Sequence, residues 1–150
     1  MFGSFAEANC ERQVFESTEW ASRMEDRVAA LLKRKTASPV SIPELAAIVA
    51  WMMDNKDEIN ILDFGGGMGA DCLEVMATLP GARGRLQFHI VETMVVAKRA
   101  RELVRDISAL SFYETLPELE RVDLIHAGSV LHYVENWREV LRRFVKYQPA

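Results

Sequence analysis

A short apolar run that ends in a carboxylate and leads into four glycines constrains this chain more than any other segment. Residues 60–64 predict a buried strand, and the glycines follow within five positions. Glycine adopts a positive φ readily and lacks a Cβ, so a ligand can lie against the main chain of such a turn. A helix predicted over residues 70–79 would direct its first amides at that ligand. The segment therefore predicts a strand, a ligand-binding turn and a helix. Its glycines are Gly65, Gly66, Gly67 and Gly69.

The rest of the chain alternates short apolar runs with helical periodicity. Further strands are predicted at residues 86–91, 109–113 and 122–127, with amphipathic helices between them. This alternation is typical of an α/β fold with a mostly parallel sheet. Right-handed crossovers give the strand order 3-2-1-4, with a switch point between strands one and four. We therefore expect a Rossmann-like, doubly wound parallel sheet in three αβα layers. The last helix carries its apolar face at Trp137, Val140, Leu141 and Phe144.

Two amphipathic helices are predicted ahead of the first strand. The first covers residues 20–33, and the second has Ser41 as its N-cap and Pro43 in its first turn. A chain of 150 residues, 49% of them hydrophobic, is long enough for one domain with a real core. We expect a single domain over residues 1–150, with an N-terminal helical region (1–55) and a Rossmann-like core (56–150). The second helix carries its apolar stripe at Leu45, Ile48, Val49, Met52 and Met53.

Composition and charge argue against several classes of protein. A net charge of −4 and a pI near 5.4 provide no general basic field for binding nucleic acid, so a small molecule is the expected partner. No apolar run approaches the roughly 20 residues that cross a bilayer, and the N-terminus has no signal-peptide pattern, so we expect a cytoplasmic protein. Cys10 and Cys72 have neither metal-ligand nor disulfide-framework spacing. We therefore expect reduced thiols and no metal site.

Asp63, at the end of the first strand, discriminates between two classes of cofactor. The spacing Gly65-x-Gly67-x-x-Ala70 also fits a dinucleotide fingerprint, but a carboxylate at that point would face the diphosphate. Two like charges about 4 Å apart repel by roughly 4 kcal/mol at an effective dielectric near 20. S-adenosylmethionine carries an ammonium and a sulfonium and no phosphate, so its interaction with the Asp63 carboxylate would be attractive. The pattern Asp63-x-Gly65-x-Gly67-x-Gly69 therefore favours S-adenosylmethionine.

Glu92 supplies the second predicted contact with the cofactor. It stands at the end of the second strand, where a carboxylate can accept hydrogen bonds from two ribose hydroxyls. The alternative is an ordinary acidic residue at the start of the next helix, which the helix macrodipole favours. For Asp63 the alternative is a strand-end residue that caps the glycine turn, a role that can coexist with ligand binding.

Three segments in this order resemble the class I, Rossmann-like S-adenosylmethionine-dependent methyltransferases. They are residues 62–69 (LDFGGGMG), 90–93 (IVET) and 122–133 (VDLIHAGSVLHY). More narrowly, residues 2–8 resemble the start of a methyltransferase subgroup associated with surface-polysaccharide gene clusters. The resemblance implies that the glycine turn approaches the methionyl part of S-adenosylmethionine, with Asp63 nearby, and that Glu92 holds the ribose.

The same resemblance implies further contacts around the cofactor. Met94 would pack near the adenine, and either Tyr113 or Glu114 would meet the adenine amino group. Main-chain carbonyls of residues 126–129, including that of Ala127, would face the methionyl ammonium or the transferring methyl group.

Methyl transfer is an in-line displacement, so the protein mainly has to align the nucleophile with the methyl group. A hydroxyl acceptor would also benefit from a base, and His132 is the candidate catalytic residue, its alternative being a packed or half-exposed histidine at a helix start. His126 and His89 are predicted to be structural core histidines. Ser129 is expected either to bind a substrate or to cap the helix ahead of Trp137.

The resemblance covers only the first half of the class I fold, which continues with three more strands. We expect the sheet to be truncated before strand five, or its apolar fourth strand to be covered by a homo-oligomer, because an uncovered strand edge is an aggregation hazard. The expected function is S-adenosylmethionine-dependent methyl transfer to a small-molecule or saccharide acceptor. The alternatives are an NAD(P)-dependent oxidoreductase and a non-catalytic cofactor-binding domain.

Overall fold

The computed structural model describes residue 15, residues 17–33 and residues 44–149. The predicted helices and strands in this part of the chain are confirmed, although the fourth strand is shorter than expected at both ends. Cys10, Ser41 and Pro43 lie outside the described residues. The elements are α1 (Thr18–Lys33), α2 (Glu44–Met52), β1 (Ile59–Phe64), α3 (Ala70–Thr78), β2 (Leu86–Val91), α4 (Met94–Leu103), β3 (Leu110–Tyr113), β4 (Leu124–His126) and α5 (Trp137–Lys146), with 3-10 helices at Pro80–Ala82 and Leu131–Tyr133.

The strands form one parallel sheet in the order β3-β2-β1-β4, which confirms the predicted 3-2-1-4 arrangement. β1 pairs with β2 along its whole length and with β4 over a shorter register in which Asp63 lies opposite His126. The strand order reverses between β1 and β4. Because ligands of such sheets bind at the carboxyl ends of the strands beside this switch point, the fold places the glycine turn where a ligand is expected.

Two hydrophobic clusters cover opposite faces of the sheet and confirm the three layers. Neighbouring residues of a strand point to opposite faces, so Ile61 belongs to one cluster and Leu62 to the other. The larger cluster includes residues of α1, α2, α3 and α4, and the smaller one includes Phe144 of α5. The glycine turn is therefore held by a packed layer on each side of β1.

Some residues predicted for the core lie at the surface instead. In α2, Leu45, Val49 and Met52 are buried as expected and Ala46 is buried too, but Ile48 is 43% exposed, because it lines an open cavity beside β4. In α5 only Phe144 is buried. The other residues of the predicted apolar face of α5 are Trp137, Val140 and Leu141, of which Val140 is half-buried and the other two are exposed.

Two further sequence-based expectations concern the thiols and the membrane. Cys72 on α3 is a buried free cysteine, and desolvation by burial raises the pKa of its thiol, which keeps it protonated. Within residues 15, 17–33 and 44–149, no helix combines the length and the apolarity that crossing a membrane requires.

A buried carboxylate ties the amino ends of β1 and β4 together. Asp123 is 2% exposed and accepts hydrogen bonds from Lys56 Nζ (2.8 Å), Arg121 Nε (2.9 Å) and the backbone amide of Asn60 (2.9 Å). Desolvation acts to raise the pKa of Asp123, but the three hydrogen bonds outweigh it and lower the pKa. Both carboxylate oxygens therefore have partners, and the residue acts as a structural link between the strands.

Candidate functional site

The glycine turn has the backbone that the sequence predicts. Gly65, Gly67 and Gly69 adopt positive φ angles of 74°, 61° and 87°. Gly66 is required for a different reason, because a Cβ there would lie 2.2 Å from Asp63 Oδ2. Strain therefore disfavours a side chain at three positions of the turn, and a collision excludes one at the fourth.

A cavity of about 630 Å³ opens over this turn. Its lining includes Gly65, Gly66 and Gly67 but not Gly69, together with Glu92 and Thr93 after β2 and Ser129 and Val130 after β4. The volume lies within the roughly 300–1,000 Å³ that is usual for small-molecule sites. A cavity large enough for a small molecule thus lies at the switch point, at the carboxyl ends of the strands.

Asp63 is fully buried beneath the turn, and only one of its carboxylate oxygens has a partner. Oδ1 accepts a hydrogen bond from Nδ1 of His126 at 2.8 Å. Oδ2 lies beneath Gly66 and has no hydrogen-bond partner among the described residues. A buried acceptor without a donor is costly, so native structures usually satisfy such groups or use them in binding. Asp63 therefore has unused hydrogen-bonding capacity directly below the cavity.

Glu92 is fixed in the wall of the cavity next to the turn. Its Oε2 accepts a hydrogen bond from the backbone amide of Thr93 at 2.7 Å. Desolvation raises the pKa of Glu92, and hydrogen bonds from the backbone amides of Thr93 and Gly67 oppose this shift in part. The bond from Gly67 ties the carboxylate to the turn. The acidic residue predicted to hold the ribose is thus oriented before any ligand binds.

His126 is not the core histidine that the sequence suggests. Its side chain is 27% exposed, and the hydrogen bond with Asp63 raises its pKa, with desolvation acting in the opposite direction. Asp71 Oδ2 lies 3.9 Å from His126 Nδ1. Sequence reasoning misses the pair because Asp63 and His126 are far apart along the chain. The predicted strand order could have revealed the pair, because it makes the strands of Asp63 and His126 neighbours and places polar residues at their ends side by side.

Asp71, in the first turn of α3, completes a compact group of ionisable side chains. Polar atoms of Asp63, Asp71 and His126 all lie within 4.8 Å of one another. Desolvation raises the pKa of Asp71, and the nearby Asp63 carboxylate raises it further. Arg27 on α1 compensates the charge, since its guanidinium lies 3.5 Å from Asp71 and 3.2 Å from Glu74.

Three other predicted site residues lie away from the lining of this cavity. Met94 begins α4 and is 63% exposed. Ala127 is half-buried after β4, and its neighbours Gly128 and Ser129 line the cavity in its place. His132 is exposed in a 3-10 helix, where its ring lies 3.8 Å from that of Tyr133. The roles assigned to these three residues stay predictions.

The two candidates for the adenine contact have different surroundings. Glu114 lines the cavity, whereas the hydroxyl of Tyr113 lies 3.3 Å from Nδ1 of His89. His89 Nε2 lies 3.3 Å from Asn60 Oδ1. Both ring nitrogens of His89 therefore have partners, as the structural role predicted for it requires, and Glu114 becomes the preferred candidate.

Ser129 has an unusual backbone conformation in the cavity wall. Its φ is 53°, a left-handed value that is uncommon for a residue other than glycine. The alternative that Ser129 caps the helix ahead of Trp137 is wrong, because Val130 is the N-cap of the 3-10 helix there and Asn136 is the N-cap of α5. Substrate binding stays the open prediction for this residue.

The fold and the site define a class of protein. A doubly wound parallel sheet has a glycine turn at its switch point, with Asp63 at the end of β1 and Glu92 just after β2, which is the arrangement of Rossmann-like nucleoside-binding domains. The chain belongs to the methyltransferase family, since a family model described as "Methyltransferase domain" matches residues 20–148. This match confirms the resemblance to methyltransferases seen in the sequence.

Solved structures to which this chain is similar include several methyltransferases. One is the S-adenosylmethionine-dependent methyltransferase from Thiobacillus denitrificans in complex with S-adenosylhomocysteine (14% identity, 72% of this chain, 42% of that chain, TM-score 0.40). Another is the mitomycin 7-O-methyltransferase MmcR (20% identity, 89% of this chain, 48% of that chain, TM-score 0.46). A third is the enzyme from Geobacter sulfurreducens with S-adenosylhomocysteine (13% identity, 83% of this chain, 50% of that chain, TM-score 0.43). This chain spans half or less of their lengths. No curated protein sequence matches it.

Proposed function

We propose that the cavity over the glycine turn binds S-adenosylmethionine and that the chain takes part in methyl transfer to a small-molecule acceptor. The observation that carries this proposal is the charge around the cavity. Asp71, Glu92 and Glu114 line it, and Asp63 is buried beneath its floor. Arg27 is the single lysine or arginine in the lining found among the described residues, and it is already paired with Asp71 and Glu74.

The residues of the site fit this cofactor in shape as well as in charge. The main chain of Gly65, Gly66 and Gly67 lines the cavity, so a ligand can lie directly against the turn. The Glu92 carboxylate in the lining is an acceptor that suits hydroxyl donors, and the Asp63 carboxylate buried beneath the turn suits a ligand with positive charge. A diphosphate would bring more acceptors and negative charge to the same place.

When bound, the cofactor supplies a methyl group on a positively charged sulfur. The residues of the chain then have to hold it and align the acceptor, since in-line displacement depends mainly on position. Glu92 would hold the ribose, and the glycine turn would support the methionyl part. Membership of the methyltransferase family supports this function over the alternative of a non-catalytic binding domain.

The NAD(P)-dependent alternative makes the opposite prediction about ligand charge. A dinucleotide would place its diphosphate near Asp63 and Glu92, and Arg27, the only lysine or arginine side chain that the described residues contribute to the cavity, is paired. A saccharide acceptor, a link to surface polysaccharides, a cytoplasmic location and a homo-oligomer covering the edge of β4 stay predictions.

Calorimetry with S-adenosylmethionine, S-adenosylhomocysteine and NADH tests the proposal. We expect both sulfur ligands to bind and NADH not to bind. Asp63→Ala and Glu92→Ala should each weaken binding about tenfold or more, because each removes an ionised hydrogen-bond acceptor. Asp57→Ala, at an exposed carboxylate after α2, is the matched control and should bind normally. Binding of NADH in place of the sulfur ligands, or unchanged affinity in both site variants, would refute these assignments.

A further inference from the structure

A second cavity, of about 500 Å³, lies beside the first and shares part of its wall. Arg27, Asp71, Gly128 and Ser129 line both cavities, while His126 lines only the second. The wall between them is thus built from α1, α3 and the segment that follows β4. A molecule in the second cavity would lie next to a ligand in the first, with His126 at the boundary.

The hydrogen bond with Asp63 fixes the orientation of the His126 ring. An ionised carboxylate can only accept, so Nδ1 carries the proton of the 2.8 Å bond and Nε2 is left as the free basic nitrogen of the neutral ring. Nε2 has no hydrogen bond to any residue that the structure describes. The Cε1–Nε2 edge faces Gly128, where an added Cβ would lie 3.0 Å from Cε1 and 3.2 Å from Nε2. The free nitrogen therefore lies at the wall that both cavities share.

We propose that the methyl acceptor enters the second cavity and that Nε2 of His126 takes the proton from its hydroxyl during methyl transfer. This inference rests on the proposed function of the first cavity. Asp63 would then have two roles, since it lies under the cofactor turn and also orients the base. His126 replaces His132 as the candidate base, because a base must be oriented and within reach of the reacting hydroxyl.

The proposed step balances in atoms and charge. The acceptor oxygen forms a bond to the methyl carbon, and the bond between that carbon and sulfur breaks with its electron pair remaining on sulfur. The hydroxyl proton moves to Nε2. The positive charge of the sulfonium is thereby replaced by that of the imidazolium, which the Asp63 carboxylate stabilises directly.

Charged groups around the second cavity indicate the chemistry of the acceptor. Glu44 of α2, together with Asp71 and Glu74 of α3, places three carboxylates in the lining, against Arg27 and His126. Asp63 on β1 and Asp71 on α3 are the acids that lie close to the imidazole itself. This excess of negative charge disfavours an anionic acceptor. The proposed proton transfer to His126 in turn requires an acceptor that carries a hydroxyl group.

NMR titration of the histidine side chains with each of the two sulfur ligands tests this role without an acceptor. S-adenosylmethionine and S-adenosylhomocysteine differ by one methyl group and by the positive charge on sulfur. If Nε2 lies near the transferring methyl group, the pKa of His126 should be lower in the S-adenosylmethionine complex by at least about one unit, as expected for a unit charge within about 10 Å at an effective dielectric near 20. His126→Asn assigns the signal. His89, on the opposite face of the sheet, is the internal control and should titrate identically in both complexes.

The possible results separate this inference from the function on which it depends. Binding of both ligands with a lower His126 pKa only in the S-adenosylmethionine complex supports the proposed base. Binding of both ligands with the same His126 pKa overturns it and leaves the cofactor site intact. If calorimetry shows that neither ligand binds, the proposed function fails, and the role of His126 fails with it.

Discussion

Two buried aspartates at opposite ends of the β1–β4 pair have contrasting surroundings. Asp123, at the amino end of the β1–β4 pair, has partners for both oxygens from Lys56, Arg121 and the amide of Asn60. Asp63, at the carboxyl end, has one partner, His126, and an oxygen with none among the described residues. A fully satisfied carboxylate stabilises a structure, while a partly satisfied one lowers its stability and leaves capacity for a ligand. The difference separates the structural end of the sheet from the functional end.

The largest expected effect is on stability at the structural end. Asp123→Ala should lower the free energy of unfolding by about 3 kcal/mol, because it removes a buried hydrogen-bonded charge and leaves the amide of Asn60 without its carboxylate partner. Asp63→Ala should cost clearly less, since its carboxylate is only half satisfied. Urea denaturation followed by circular dichroism measures both. Asp57→Ala is the exposed control, expected within about 0.5 kcal/mol of the unchanged chain. Equal losses for Asp63→Ala and Asp123→Ala would break the comparison.

A somewhat smaller effect is expected on binding at the functional end. Gly66→Ala should weaken the affinity for S-adenosylhomocysteine by roughly 30-fold, equivalent to about 2 kcal/mol, because the new Cβ would collide with Asp63 Oδ2 and displace the turn. Gly81→Ala is the matched control, since its nearest neighbour outside the adjoining residues is Met53 Cε at 3.8 Å, an ordinary contact. Calorimetry on both variants measures the difference. A normal affinity for Gly66→Ala would show that the turn is not packed against Asp63 as described.

The smallest expected effect is a pH dependence of the free energy of unfolding that is caused by Asp123. Its pKa is lower in the folded protein than in the unfolded chain, so its contribution to stability is present above the unfolded pKa near 3.9 and is lost as the pH falls through the folded value. The difference in free energy of unfolding between the unchanged chain and Asp123→Asn should therefore be constant from pH 7 to 5 and narrow below about pH 4. Urea denaturation at each pH provides the test, and a difference that widens toward acid would contradict it.

Local patterns in the sequence predict most of the helices and strands and the part of the candidate site that lies at the ends of β1 and β2. The glycines, Asp63 and Glu92 stand next to predicted strand ends, so local sequence alone is enough to place the turn and its two acidic residues. The hydrogen bond between His126 and Asp63 cannot be predicted from local sequence, because it depends on which strands are neighbours in the sheet. The predicted burial of Ile48 is wrong for a related reason. Helical periodicity identifies an apolar stripe, but it does not show how much of that stripe the neighbouring elements cover.

The pairing of β1 with β4 has a further consequence for how the protein folds. The interval from Asn60 to Asp63 on β1 equals that from Asp123 to His126 on β4, so a single register satisfies the contacts at both ends. A slip of one residue would turn His126 to the other face of the sheet, and both Asp63 and Asp123 would lose their hydrogen-bond partners on the neighbouring strand. Misaligned molecules would lose the contacts at both ends, so the register that completes the structural link at one end also assembles the candidate site at the other.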